Sequence, residues 1–169
     1  MGAAVISPAE VRQAVDRRDM ATLGGLTSQE ANGTEPGEYT PLMNAVMAQD
    51  AAPAVVAVLI GRGADVNAAE SGQRWTALHF AARDQNAALV RLLLEAGAEV
   101  DPQDAFGDTP LWRSVMSSAG RLAAMKLLVE HGADPGVPNL HGISPLDLAR
   151  KTGQDDVVAL LEGRDRQAG

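Results

Sequence analysis

The chain contains no cysteine, and this absence excludes several kinds of chemistry at once. Disulfide bonds, thiolate nucleophiles and cysteine-based zinc sites all need a sulfur atom that none of the 169 residues supplies. Because disulfides persist mainly in oxidising compartments, a chain without cysteine is typical of a reducing cytoplasm. We therefore expect a cytoplasmic location.

Aromatic residues and long apolar runs are also scarce. Aromatics make up 3% of the chain although hydrophobic residues make up 46%, so a core must be built from Ala, Leu, Val and Met. Such residues favour closely packed helices over the β-branched and aromatic strands of a sandwich. Apolar runs such as residues 54–60 fall far short of the about 20 residues that cross a bilayer. The first residues have no basic segment of a signal peptide, and Ile6 stands where a myristoylation signal needs Ser or Thr.

Positive charge is in short supply, since the net charge is −8 and the isoelectric point is about 4.8. Nucleic acids and anionic membranes are recognised by clustered Lys and Arg, so the composition disfavours both. The same charge fits either simple solubility or selection for a basic partner. The 12 Arg against 2 Lys indicate a GC-rich, bacterial genome.

Motifs that carry catalysis are missing as well. The sequence has no nucleophile elbow, zinc-protease helix, phosphate-binding loop or dinucleotide fingerprint. Asp101 and Asp104 lack the spacing and the closing Glu of a calcium loop. His79, His131 and His141 have no convergent metal ligands, and Asp155-Asp156 fits the start of a helix. We predict no catalytic residue, no metal and no cofactor, and an enzyme stays a remote alternative.

What the sequence does contain is an internal repeat. Four similar segments are separated by 36, 33 and 35 residues. In each, Thr or Ser can cap a helix, Pro suits the first helical position, and Leu with small residues can face a core. The segments are Thr40-Pro41-Leu42-Met43, Thr76-Ala77-Leu78-His79, Thr109-Pro110-Leu111-Trp112 and Ser144-Pro145-Leu146-Asp147.

A second pattern lies between these segments. An apolar run is followed each time by Gly-Ala and an acidic residue, beginning at Gly63, Gly97 and Gly132. Glycine suits the left-handed residue just after a helix, so each repeat predicts a helix, a second helix and a turn-rich finger. Residues 101–107 exemplify such a β-turn or hairpin finger.

These linked patterns resemble the ankyrin repeat family, whose hallmark is T-P-L-H, two helices and G-A-D-V-N. The resemblance covers residues 35 to 161 and is strongest over residues 75–100. It implies an all-α solenoid of helix–turn–helix units with short β-turn or hairpin fingers. It also implies that His79 joins a structural hydrogen-bond network between repeats.

The resemblance divides the chain into a divergent N-terminal cap (1–34), three repeats (35–74, 75–107 and 108–142) and a C-terminal capping repeat with a polar tail (143–169). Two extra residues are expected in the inter-helix loops near 49–52 and 117–120. The first finger, residues 68–75, has Gln73 or Arg74 where a turn glycine is usual.

The two ends are expected to differ from the internal repeats, because terminal units need a polar outer face. Ser7-Pro8 begins a capped helix, and a second short helix is predicted near 20–26. Residues 28–38 are predicted to be a connector, residues 155–162 the last helix, and residues 163–169 a frayed tail.

The resemblance also implies a binding surface, because ankyrin-like proteins bind partners on a concave face made of finger tips and first helices. Counting positions from each capping Thr or Ser gives the residues of this face in the present chain, which we call the predicted concave surface. The finger tips are residues 36, 37 and 72 together with Ala105, Tyr39, Gln73, Trp75, Phe106, Asp108, Leu140, His141 and Ile143. The first helices add Met47, Arg83, Asp84, Met116 and Lys151, with neighbours Ala48, Ser117 and Thr152.

Three of the five aromatic residues, Tyr39, Trp75 and Phe106, fall on finger positions. Exposed rings mark interface hot spots, so we expect them to meet a partner inside a polar rim. Alternatively, the rings pack on neighbouring fingers, and Trp112 either fills the core or extends the surface. We expect a monomer that binds a protein partner as an adaptor, regulator or inhibitor, or as a bacterial immunity protein that neutralises a toxin. A purely structural or self-assembling scaffold is the remaining alternative.

Overall fold

A computed structural model describes residues 5–34 and 37–163. Pro36 and the predicted tail beyond residue 163 lie outside the described residues, as do residues 1–4. Within the described ranges the chain forms eleven α-helices and no strand. They are α1 Pro8–Arg17, α2 Met20–Gly24, α3 Ser28–Ala31, α4 Pro41–Met47, α5 Pro53–Gly61, α6 Ala77–Arg83, α7 Ala87–Glu95, α8 Pro110–Met116, α9 Ala123–Glu130, α10 Pro145–Lys151 and α11 Asp155–Glu162.

The first three helices form the N-terminal end. Ser7 caps α1 through a reciprocal pair of hydrogen bonds with Glu10, as predicted, and Pro8 occupies the first helical position. The prediction of a plain connector after residue 28 is wrong, because Thr27 and Glu30 form a second capping box around α3. Glu30 also accepts a hydrogen bond from the Ile6 N–H at 2.9 Å and so ties α3 to the start of α1.

The remaining eight helices form four antiparallel pairs that stack in chain order. First helices α4, α6, α8 and α10 pack side by side in one layer, and the second helices α5, α7 and α9 pack in another. The core between the layers is made of Leu, Ala, Val and Met, and includes the fully buried Leu42, Leu78 and Leu111 that follow the caps. The structure thereby confirms the predicted all-α solenoid.

The Gly-Ala-Asp turns link each pair to the next. Gly63, Gly97 and Gly132 have φ of +84°, +89° and +105°, as the left-handed position requires. Beyond two of the turns a side chain reaches the following repeat, because the Glu99 N–H donates to Asn67 Oδ1 at 2.8 Å and the Asp134 N–H to Asp101 Oδ2 at 2.9 Å. Paired polar groups along the stack thus fix the spacing of the repeats.

The fingers are held together by main-chain hydrogen bonds. The Ala105 N–H donates to the Gln73 carbonyl at 2.8 Å, and the Leu140 N–H donates to the Phe106 carbonyl at 3.0 Å. The regular β-structure of the described residues is a single bridge in the first finger, between Ala69 and Thr76. Arg74 has a φ of +61° and takes the turn position that glycine usually fills.

Loop lengths differ between the pairs as the spacing predicted. Residues 48–52 and 117–122 connect the first and third pairs, whereas only residues 84–86 connect the second. None of the eleven helices has both the length and the apolar character that crossing a lipid bilayer requires.

Candidate functional site

Exposed apolar side chains concentrate on the predicted concave surface. Tyr39, Phe106, Met116 and Leu140 are 42%, 47%, 66% and 77% exposed. Elsewhere in the described part of the chain, the only other large hydrophobic residues with this degree of exposure are Val5 and Met20, near the N-terminal end. Exposed apolar groups cost nothing to the fold individually, but a set of them on one face marks a surface that something else covers.

The rings of the first two repeats do not all project outward. Trp75 is only 7% exposed, so the expectation that its ring lies free at a finger tip is wrong. Its ring packs against Phe80, with centroids 4.9 Å apart, and Phe80 in turn meets the edge of Tyr39 at 5.6 Å. The Arg83 guanidinium lies 5.3 Å from the Trp75 ring centre and 5.4 Å from that of Phe80. The alternative of ring packing between neighbours therefore describes Trp75, whereas Tyr39 and Phe106 stay half exposed.

A depression of about 280 Å³ opens beside these rings. Its lining brings together five residues predicted from the sequence, namely Tyr39, Gly72, Gln73, Trp75 and Arg83. The Glu70 carboxylate forms part of its wall and accepts hydrogen bonds from three main-chain N–H groups of the first finger, those of residues 72, 73 and 75. These bonds hold the finger in place without a turn glycine and occupy the carboxylate.

Arg113 holds together a group of polar side chains beside the Trp75 ring. Its guanidinium donates two hydrogen bonds to Asp104 Oδ2, lies 3.0 Å from Asp108 Oδ2 and stacks 4.6 Å from the centre of the Trp75 ring. Asp108 also accepts a hydrogen bond from Asn139 at 2.7 Å. Both carboxylates are buried, so the prediction that the Asp108 side chain is exposed at a finger tip is wrong.

Burial raises the pKa of the Asp108 carboxyl above its ordinary value, while the Asn139 hydrogen bond and the Arg113 charge oppose this shift. The cluster connects the second finger, α8 and the third finger. We call Asp104, Asp108, Arg113 and Asn139 the inter-repeat polar cluster. Sequence reasoning missed Arg113 and Asn139, because each residue pairs with partners brought in by another segment.

His79 has the structural role that the resemblance implied. Its Nδ1 accepts a hydrogen bond from the Thr76 N–H at 3.1 Å, so Nε2 carries the proton that is donated to the Asp108 carbonyl at 3.1 Å. Burial lowers the pKa of His79 from 6.5 to about 4. The imidazole is thus neutral and fully engaged at neutral pH, and joins the second repeat to the third.

The other predicted residues lie on the surface to different degrees. Met47 and Ile143 are half buried, and His141 and Lys151 are exposed. Asp84 is exposed and forms an ion pair with Arg83 at 2.7 Å. Trp112 is half buried within α8, with the Arg113 guanidinium 5.4 Å from its ring centre.

On this surface the Arg83 side chain is paired with Asp84, and the Asp108 side chain with Arg113 and Asn139. Across residues 5–34 and 37–163, no three His, Asp or Glu side chains come together as metal ligands would. What the surface offers is apolar area, backbone-braced fingers and a few charges, which suits recognition of another macromolecule.

Comparison with known proteins identifies the family to which this stack of helix pairs is similar. Residues 13–104 and 42–139 match a family model described as ankyrin repeats (3 copies). The chain is 42% identical over 103 residues to the nuclear factor NF-kappa-B p105 subunit of Mus musculus, covering 60% of this chain and 10% of that protein. It is 37% identical over 129 residues to ankyrin repeat and SOCS box protein 16 of Mus musculus, covering 72% and 27%.

A bacterial protein also matches. A putative ankyrin repeat protein of Rickettsia bellii is 37% identical over 92 residues, which is 50% of this chain and 38% of that protein. The chain therefore spans well under half the length of each of these three relatives.

Proposed function

Because this chain belongs to the ankyrin repeat family, whose repeats are protein–protein interaction modules, we propose that it binds a protein partner through the predicted concave surface. It does so as an adaptor, regulator or inhibitor and carries out no chemistry of its own. The observation that supports this most is that Tyr39, Phe106, Met116 and Leu140, all members of the predicted concave surface, are four of the six exposed large hydrophobic residues in the described part of the chain.

Two of the four apolar residues lie on fingers that are bonded to each other. Phe106 and Leu140 belong to fingers that are joined by a main-chain hydrogen bond of 3.0 Å, so their side chains keep a fixed spacing. A partner that covers them loses little entropy in ordering the surface, which is the condition under which apolar contacts become hot spots.

We propose that the chain acts as a monomer. The last helix pair carries an ion pair of 2.9 Å between Arg150 and Glu162. By the repeat register these residues occupy the positions of Ala82 and Leu94, which are buried between repeats in the second pair. Charged groups there oppose end-to-end stacking of a second copy, since both would lose water.

The test uses a partner captured from cells of the source organism, identified by mass spectrometry and then purified. Leu140→Ser and Phe106→Ser should each weaken its affinity by about tenfold, the loss expected for a hot-spot residue. Titration calorimetry gives the affinities, and circular dichroism checks that each variant is folded.

Val5→Ser is the matched control, because Val5 is equally apolar and exposed but lies outside the concave surface. It should leave the affinity within twofold of the original. The proposal fails if Val5→Ser weakens binding as much as Leu140→Ser, or if neither concave variant has an effect.

A further inference from the structure

The long loop of the third helix pair borders a groove of about 510 Å³. One wall consists of residues 118–120 and the other of residues 153–156. Met116, Leu122 and Val157 supply apolar lining, and Met116 also belongs to the predicted concave surface. The groove therefore opens next to the region proposed to meet a partner.

The groove is shaped by the two extra residues of this loop. Ala119 and Gly120 both have positive φ, +43° and +80°, so the loop turns sharply after Ser118. The Ser118 hydroxyl donates to Gln154 Oε1, and the Gln154 Nε2–H donates to the Val115 carbonyl at 3.3 Å. These bonds tie the two walls together below the opening, so the groove exists without a ligand.

The opening carries negative charge. Asp155 and Asp156 line the groove, and neither forms a hydrogen bond or an ion pair with any residue that the structure describes. No Lys or Arg is among the lining residues; Arg121 belongs to the same loop but does not line the groove. Apolar walls with two free carboxylates complement a long side chain that has an aliphatic stem and a cationic end.

Helix stability does not require these two acids. The first two residues of the other second helices are Pro53-Ala54, Ala87-Ala88 and Ala123-Ala124, and all of those helices form without an acid there. Acids at a helix start add favourable interaction with the dipole, but that interaction explains neither the inserted loop nor the exposed methionine beside it.

We propose that this groove binds a Lys or Arg side chain from a basic segment of the protein partner. The stem lies against Met116 and Val157, and the charged end reaches Asp155 and Asp156. This inference rests on the proposed function, because it specifies the chemistry of the partner that the concave surface recognises. Binding of an acidic or uncharged segment instead is one of the outcomes that the test distinguishes.

The test uses two fluorescein-labelled 12-residue peptides with identical apolar residues, one carrying four Arg and the other four Glu at the same positions. Fluorescence anisotropy measures their binding to the full chain. We expect the Arg peptide to bind more tightly than the Glu peptide, and Asp155→Asn/Asp156→Asn to weaken the Arg peptide by about fivefold, as removal of two partly exposed charge contacts predicts.

Glu95→Gln/Glu130→Gln is the matched control. It removes the same total charge from exposed positions on α7 and α9, away from the groove. We expect the control to bind the Arg peptide within 1.5-fold of the original chain. Chemical shifts of the amides of residues 118–120 and 153–157 should move on titration with the Arg peptide.

Several results would overturn the inference: no binding of the Arg peptide, tighter binding of the Glu peptide, or equal effects of the two double variants. Leu140→Ser separates this failure from failure of the proposed function. If peptide binding responds to Leu140→Ser but not to the Asp substitutions, the concave surface stands and the groove assignment falls. If peptide binding responds to the Asp substitutions but not to Leu140→Ser, the groove assignment stands and the assignment of the finger surface falls.

Discussion

Replacing Arg113 by Leu tests the inter-repeat polar cluster. The guanidinium is only 17% exposed and is the cation for two buried carboxylates, Asp104 and Asp108. Leucine preserves apolar contact with the Trp75 ring but supplies neither charge nor hydrogen bonds. Both carboxylates then remain buried without a counterion, and the free energy of unfolding must fall.

The magnitude follows from what the carboxylates retain. Asp104 Oδ1 still accepts the N–H groups of Phe106 and Asp108, and Asp108 still accepts from Asn139. Breaking a buried ion pair costs about 3–5 kcal/mol, and these remaining bonds place Arg113→Leu near the lower end, at about 3 kcal/mol at pH 7. That is a large part of the stability of a domain of this size.

The loss should shrink in acid, because protonated carboxyl groups need no counterion. Burial already raises the pKa of Asp108, and removing Arg113 takes away a charge that lowers it. A raised pKa in the folded state means that folding binds protons, so the variant regains stability relative to the original chain as the pH falls from 7 towards 4.

Urea unfolding followed by far-ultraviolet circular dichroism measures the difference at pH 7 and pH 4.5. Arg91→Leu is the control, since Arg91 is exposed on α7 and forms no ion pair within the described residues; it should change stability by less than about 0.5 kcal/mol. The reasoning is refuted if Arg113→Leu behaves like Arg91→Leu, or if its cost is the same at both pH values.

Two further predictions concern the links between repeats. His79 has a folded pKa of about 4 against 6.5 when unfolded, so its contribution to stability is complete above pH 6.5 and is lost as the pH falls to 4, amounting to about 3 kcal/mol. An NMR titration of its ring should show a midpoint near pH 4, and a midpoint near 6.5 would contradict this. Gly107 has φ +77°, and a Cβ there would lie 2.8 Å from the Leu140 nitrogen, so Gly107→Ala should destabilise the chain by about 2 kcal/mol or more. The control is Gly97→Ala, which should cost about 1 kcal/mol because Gly97 has a similar φ of +89° but open space around it. Equal melting temperatures for the two glycine variants would show that contact with the third finger is unimportant.

Local patterns were sufficient to predict the helices. The cap-and-proline pairs at Thr40, Thr109 and Ser144 act within one turn of chain, and each begins a helix in the structure. The glycines that end the second helices, Gly63, Gly97 and Gly132, and the helix at residues 155–162 were predictable for the same reason. The short helix α3 was missed because its four residues have no apolar period, and only the capping box around Thr27 and Glu30 indicated it.

Side-chain exposure in the fingers was less predictable. Trp75 and Phe106 were both predicted to be finger rings open to a partner, yet Trp75 is buried and Phe106 is half exposed. The Trp75 ring packs against Phe80 and lies beside both Arg83 and Arg113, whereas the Phe106 ring lies 5.8 Å from Arg113. Phe80 and Arg83 come from α6 of the same repeat and Arg113 from α8 of the next, so the burial of Trp75 depends on how its finger packs against both helices.

The sequence by itself determined the repeat, its helices and its turns, because capping, glycine at positive φ and apolar periodicity all act over a few neighbouring residues. Only the tertiary structure decided which polar residues are buried and which apolar ones are left for a partner. That division depends on residues about 30 positions apart, such as Asp108 and Asn139, whose meeting follows from the stacking of successive repeats.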